Sequence, residues 1–339
     1  MAMTKSVGFA VVGLGSISRT SILPAFAHSK EAKLVALVSR DQGKAAAWAQ
    51  QFGAEASYGV ENYSACLANP EVNAVYIATP PGDHLALAVR AAQAKKHVLC
   101  EKPLAATAEQ SAQMVKACRS NNVLLMTAYR KYFEPSIVYL KQLIGEGALG
   151  KLDMIHTSFS ELYVPGTSAA WMIDGKMAGG GPLMDLGVYC VNTSRWLAGE
   201  DPVEAIASAW SHKETFREVE EGVTFRLRFP SGLLLQGSST YSAALSSFLF
   251  IQGTKGWLSL TPAFPFEEER RLTGKIGGRW IEKTFEVVDE FALEIDAFAA
   301  AIQSGQAPEP DGVEGHRDMM IFQAIYESAK TKKPVEIHY

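Results

Sequence analysis

Two short stretches bring together residue types that move protons. AGGGPLMDLGVYC, residues 178–190, sets Asp185 and Tyr189 four residues apart behind three glycines and a proline. In a helix that spacing places the carboxylate and the phenol on one face. The second stretch is Glu101-Lys102-Pro103, which closes the apolar run at 97–101. An acid and a lysine at the end of such a run are not needed for packing. Oxidation of a hydroxylated carbon needs a base for the hydroxyl proton, and a free phenol titrates at about 10, too high for the task at neutral pH. An ammonium within about 4–6 Å favours phenolate, so a lysine supplies what a tyrosine lacks. The plain alternatives are a helix start with an N-terminal acid and a surface salt bridge.

The hydride of such a reaction needs an acceptor, and Gly13-Leu14-Gly15-Ser16-Ile17-Ser18 stands where a dinucleotide fingerprint must stand, between an apolar strand and the first helix. Gly13 permits the tight turn and Gly15 lets a pyrophosphate approach the helix N-terminus, while Ser18 replaces the third glycine. The next strand ends in Ser39-Arg40, with Lys44 one turn on, in place of the acid usual for NAD. A guanidinium, an ammonium and a hydroxyl suit a 2′-phosphate, so NADP is expected in preference to NAD. Asp41 is either that acid displaced by two positions or, more naturally for the first residue of a helix, an N-cap. Ala78-Thr79-Pro80-Pro81-Gly82-Asp83-His84 follows a further strand at the edge where open α/β sheets bind ligands. His84 there reads as a helix residue facing the cofactor or the protein. Cofactor contacts are expected from Gly13, Gly15, Ser16 and Ile17, from Ser39, Arg40 and Lys44, from Thr79, Pro80 and His84, and from Glu101 and Lys102.

The elements that must position these residues fall into two textures. Strands at 7–13, 33–39, 73–79, 97–101 and 123–127 are near-continuous in Val, Ile and Leu, and helical patterns at 17–28 and 41–52 and alanine-rich ones further on separate them. That predicts an α/β Rossmann domain, a parallel doubly wound sheet, over 1–127. After a helix at 133–144, alternating runs at 152–162, 203–211, 223–229, 233–240, 248–252, 256–260 and 280–285 predict an open, mostly antiparallel sheet. With helices at 290–303 and 312–330 they make an α+β domain over 128–339, whose C-terminal helix is free to pack back on the first. FPFEEERR at 264–271 reads as a charged loop, and His156, His212 and His316 receive no role. Phe248, Phe250 and Trp257 alternate on a face that is either core or a subunit surface.

The chain of 339 residues is 47% apolar and 20% charged with a net charge of −4, so neither a nucleic-acid footprint nor a polybasic membrane anchor is present. No apolar run approaches the roughly 18 residues of a membrane span. Cleavage of a signal peptide would destroy the glycine motif, and Cys66, Cys100, Cys118 and Cys190 lack metal-ligand spacing. A cytoplasmic protein with no metal and with reduced thiols is expected.

Taken in order, G-x-G-x-x-S, ATPPGDH, CEKPLA, AYRKYFEPS and AGGGPLMDLGVY resemble the glucose-fructose oxidoreductase, inositol dehydrogenase and MocA-like family over about residues 7–335. The resemblance implies a nicotinamide oxidoreductase whose C-terminal sheet often joins subunits, here as a homodimer or homotetramer. Many members carry histidine where this chain has Tyr189, and tyrosine there resembles the glucose-fructose oxidoreductases, the aldose dehydrogenases of the xylose and glucose type and the dimeric dihydrodiol dehydrogenases. By position, Lys102 and Tyr189 are implied as catalytic, Asp185 as a binder of a sugar hydroxyl, and Tyr129, Arg130 and Trp171 as pocket lining. Asp185, Arg130, Tyr129 and Asn192 favour a sugar or polyol over an aromatic diol. The expectation is NADP-dependent oxidation of an aldose at C1 to a lactone, with reverse reduction of a second sugar. Trans-dihydrodiol and inositol-type dehydrogenases are the alternatives, and a dinucleotide-sensing regulator, which has no need of the lysine–tyrosine pair, is the non-enzymatic one.

Overall fold

VGFAVV at Val7–Val12 (β1) is buried at every residue. A strand apolar on both faces needs cover on both, the condition met inside a parallel sheet. The computed structural model, which describes residues 6–339, contains that sheet. Its strands are β1, β2 (Ala32–Ser39), β3 (Ala56–Gly59), β4 (Ala74–Ile77), β5 (His97–Glu101) and β6 (Leu125–Ala128), in the order β3-β2-β1-β4-β5-β6. Helices α1 (Leu23–His28), α2 (Gln42–Phe52), α3 (Tyr63–Ala68), α4 (Pro81–Gln93) and α5 (Ala108–Ser120) lie between them in sequence. The order reverses between β1 and β4, and ligands of such sheets bind beyond the carboxyl ends of the strands at that reversal.

Local signals explain most element ends. α2 starts on Asp41, whose carboxylate accepts from Lys44 N at 2.9 Å, and stops at Gly53 with φ 75°. Thr107 caps α5 in the same way, each cap being worth about 1 kcal/mol. The first crossover differs from the single helix expected over 17–28. Ser18–Ile22 is a π-helical turn, and the α-helix proper begins at Leu23. Pro24 has no N–H to return to the turn before it, and Leu23 N–H bonds Ser18 O instead.

By its contacts the chain forms two compact units, 6–130 with 289–316 and 131–288 with 317–339. The helix Glu290–Ser304 belongs to the first unit. Its Phe298 ring meets Phe9 of β1 edge-on at 6.2 Å.

The second unit holds β7 (Leu152–Ser160), β8 (Glu204–Trp210), β9 (Gly222–Arg228), β10 (Leu234–Thr240), β11 (Ser246–Gly253), β12 (Gly256–Thr261), β13 (Arg270–Ile276), β14 (Arg279–Phe285) and β15 (Val335–Glu336). They form one sheet in the order β14-β13-β12-β11-β7-β10-β9-β8-β15, antiparallel except for the β7–β10 pair. Helices α6 (Pro135–Gly145), α7 (Gly175–Ala178) and α8 (Val188–Ala198) belong to the same unit; Glu290–Ser304 is α9, and α10 is Gly312–Thr331. Alternation in β11 buries Leu249 and Ile251 and leaves Phe248 40% exposed. On that outer side Phe250, Trp257 and Trp280 form an aromatic row with centroid spacings of 5.5 and 5.8 Å. The charged loop expected at 264–271 instead ends in β13, because alternate residues from Arg270 face inward. Arg270 is fully buried, its Nη2 donating to Pro265 O at 2.5 Å and its Nε lying 3.7 Å from Glu134 Oε1. Among the described residues no helix is long and apolar enough to cross a membrane.

Candidate active site

The glycine turn after β1 is shaped by its neighbour after β4. Gly13 has φ 97°, and a Cβ there would lie 2.5 Å from Ala78 O and 2.8 Å from Thr79 Cγ2. Only glycine admits both the dihedral and the approach. Ser18 Oγ donates to Gly13 O at 2.6 Å and fastens the turn to the π-helical start. A Cβ on Gly15 would meet nothing within 4 Å, so space stays open beside the first helical turn. Thr79 Oγ1 is buried with no partner among the described residues. An open helix start and an orphaned hydroxyl at the sheet's switch point fit a bound dinucleotide.

At the end of β2, Ser39 Oγ accepts from Asp41 N at 3.1 Å, and Asp41 is occupied as an N-cap. Lys44 Nζ sits 4.9 Å above the Trp48 ring, and the Arg19 guanidinium is 5.8 Å from the same ring. Arg19 was passed over in the sequence because it belongs to no motif; the π-helical turn carries it to Trp48. Of the two surroundings expected for His84, the structure shows protein. Its ring is fully buried, with Nε2 2.8 Å from Thr79 O and Nδ1 3.2 Å from Leu104 O. Burial holds its pKa below the usual imidazole value, and the single N–H of the neutral ring donates to one of these two carbonyls.

Glu101 and Lys102 stand where β5 ends. Glu101 Oε2 accepts the Lys102 backbone N–H at 3.2 Å, and Oε1 lies 3.0 Å from the Tyr76 hydroxyl. Burial raises the Glu101 carboxyl, and the Lys102 charge beside it acts against that rise. Tyr129 and Arg130, expected as pocket lining, are 2% and 5% exposed. Arg130 pairs with the buried Glu290, and its guanidinium lies 5.7 Å from the Phe291 ring.

In the second unit the AGGGPLMDLGVYC stretch splits. Leu183–Gly187 is a π-helical turn carrying Asp185, and α8 follows with Tyr189 in its first turn. Tyr241 Oη donates to Asp185 Oδ2 at 3.1 Å, and burial with the Asp185 charge drives the Tyr241 pKa well up. The Tyr189 ring packs between Phe159 at 5.7 Å and Phe264 at 5.9 Å. At Gly181 the protein's own backbone makes a close approach. A Cβ there would lie 2.2 Å from Glu220 O, while the Glu220 carboxylate accepts from Gly181 N at 2.8 Å and Leu183 N at 2.9 Å. Tyr326 Oη donates to the same carboxylate at 3.0 Å. Asn192 is buried and donates through Nδ2 to Asp318 Oδ2 at 2.7 Å. Trp171 lies on the 3-10 turn Ala170–Ile173 and is 36% exposed.

Comparison with known proteins agrees with this architecture. Residues 7–129 match the model described as "Oxidoreductase family, NAD-binding Rossmann fold", and 137–259 match the GFO/IDH/MocA C-terminal domain. D-xylose 1-dehydrogenase [NADP(+)] of Haloarcula marismortui is 33% identical, covering 99% of this chain and 94% of its own length. Trans-1,2-dihydrobenzene-1,2-diol dehydrogenase of Oryctolagus cuniculus is 34% identical over 73% of each chain. The structure of aldose-aldose oxidoreductase from Caulobacter crescentus, complexed with glycerol, superposes with a TM-score of 0.93 at 30% identity, covering 98% of this chain and 100% of that one. This chain belongs to the GFO/IDH/MocA family, as an oxidoreductase with a nicotinamide-dinucleotide-binding Rossmann domain.

Proposed function

We propose that the protein oxidises an aldose at C1 to the lactone with NADP+ as acceptor. The observation that carries this reading is the pairing of Tyr189 with Asp185 one turn before it on the π–α junction, a phenol and a carboxylate suited to a hydroxylated carbon. The name of the xylose 1-dehydrogenase relative supports it. When bound, the nicotinamide supplies the carbon that accepts hydride from C1. Gly13, Gly15, Ser16 and Ile17 would hold the pyrophosphate, with Thr79, Pro80, His84 and Glu101 shaping the adjoining loops. Ser39, Arg40 and Lys44 would take the 2′-phosphate. Tyr189 takes the proton of the C1 hydroxyl, Lys102 donates a hydrogen bond to the same oxygen, and Asp185 accepts from a neighbouring hydroxyl. Tyr129, Arg130 and Trp171 complete the lining in this reading.

Tyr189→Phe and Lys102→Met should each reduce kcat by roughly 100-fold or more while NADP still binds. Near-full turnover in either variant would remove that residue from the chemistry. The likeness to aldose-aldose oxidoreductase supports reduction of a second sugar by the reverse step, which predicts nucleotide retained through purification. The rings around Tyr189 favour a second reading, a trans-dihydrodiol substrate, supported by the rabbit relative. Turnover with a panel of aldoses against trans-dihydrodiols decides between them. We read the Phe250–Trp257–Trp280 face as the surface of a homo-oligomer.

A further inference from the structure

We propose that Glu294 is a protonated carboxylic acid that acts through Tyr76 to keep Glu101 anionic beside Lys102, making it a positioning residue for the Glu101–Lys102 pair. The proposal rests on the catalytic reading of Lys102. It comes from a count of protons. Tyr76, fully buried on β4, has its hydroxyl oxygen 3.0 Å from Glu101 Oε1 and 3.1 Å from Glu294 Oε1. A phenol has one proton to donate, and an ionised carboxylate has none. Both contacts are hydrogen bonds only if one carboxyl carries a proton and donates it to the phenol oxygen.

A count of charges asks for the same proton. The groups facing Glu294 are Tyr76 from β4, Glu101 from β5, Arg130 beyond β6, and Glu290 one turn earlier on α9. With Lys102 beside Glu101, the cluster has three carboxyls and two cations. One bound proton makes it neutral, and an uncompensated buried carboxylate would be costly. Glu101 has the Lys102 charge beside it and the Lys102 backbone N–H on Oε2, and Glu290 is paired with Arg130. Glu294 is fully buried, and its Oε2 has no partner among the described residues. The proton therefore sits on Glu294 Oε1, the phenolic proton points to Glu101, and Glu101 keeps a negative charge despite its burial. Burial and the neighbouring Glu101 also push the Glu294 carboxyl well up.

The test is an infrared difference spectrum of full-length protein, wild type minus Glu294→Gln, at neutral pH. A carboxylic-acid C=O band present in the wild type and lost in the variant is expected; absence of the band overturns the assignment. Should Glu294→Gln fail to fold, Tyr76→Phe serves, because loss of its hydrogen bond must shift the same band, and an unmoved band overturns the bridge. The positioning role is read from the pH profile of kcat. Glutamine cannot ionise, so the alkaline limb that tracks loss of the band in the wild type should move up by about one pH unit or more in Glu294→Gln, tenfold in proton concentration. Superimposable profiles overturn the positioning role. The band is independent of turnover, so failure of the Lys102 reading, seen as full activity in Lys102→Met, is told apart from failure of this one.

Discussion

Exchanging one oxygen for nitrogen at Glu220 tests how the Asp185 turn is held. The Glu220 carboxylate accepts three hydrogen bonds, from Gly181 N on Oε2 and from Leu183 N and Tyr326 Oη on Oε1. Glu220→Gln keeps the shape but leaves one acceptor oxygen where there were two. With the amide nitrogen in the Oε2 place, Gly181 N–H faces a donor; in the Oε1 place, Leu183 N–H does. Tyr326 can rotate its hydroxyl and accept, so the minimum loss is one buried backbone donor. Such a donor costs about 1–3 kcal/mol. For a domain of this size each kcal/mol is about 2–4 °C in Tm, so a drop of about 4–8 °C is expected at the middle of that range. The two N–H groups begin the turn that carries Asp185, so KM for the sugar should rise more than kcat falls. Thermal melts and steady-state kinetics of the purified variant read both. A Tm within about 1 °C of the wild type with an unchanged KM would mean that the carboxylate does not hold the turn.

The remaining expectations concern the dinucleotide loops, cofactor choice and the open sheet face. Burial lowers the His84 pKa, so below about 6.5 the unfolded chain binds a proton the folded one refuses, and stability must fall as pH drops through that window. His97 and His316 are lowered by burial too, so His84→Asn should flatten only part of the slope of Tm against pH. An unchanged slope would mean that His84 does not carry a burial-lowered pKa in the folded chain. Arg40→Ala should weaken NADP binding by about tenfold or more, the worth of a charge-assisted hydrogen bond, and hardly affect NAD. Equal losses for both nucleotides, measured by titration calorimetry, would remove Arg40 from 2′-phosphate recognition. Trp280→Glu places a charge on the outer aromatic row and should lower the oligomer mass seen by light scattering; an unchanged mass places any interface elsewhere.

What could be read ahead of the structure, and what could not, follows from how far each interaction reaches along the chain. β1 and β5 were plain because residues buried on both faces must be apolar without interruption, and Glu101-Lys102-Pro103 stood out as the polar end of such a run. Ends were blurred wherever a lone chemical detail shifts the ladder, as Pro24 does at the π-helical turn. The supports of the site were invisible for a different reason. Glu220 lies 39 residues from the Gly181 it caps, and Glu294 lies 218 residues from Tyr76, so no local pattern links them. One signal was nevertheless present. In EFALEIDAFAAAI, Glu290, Glu294 and Phe298 recur at intervals of four, and Phe298 belongs to the apolar row that packs on Phe9. Carboxyls in the buried row of an amphipathic helix are a departure from the pattern that builds such helices. A chain keeps them there only with a partner such as Arg130 for Glu290 or a bound proton, as proposed for Glu294, so the break in periodicity itself marks where buried charge is managed.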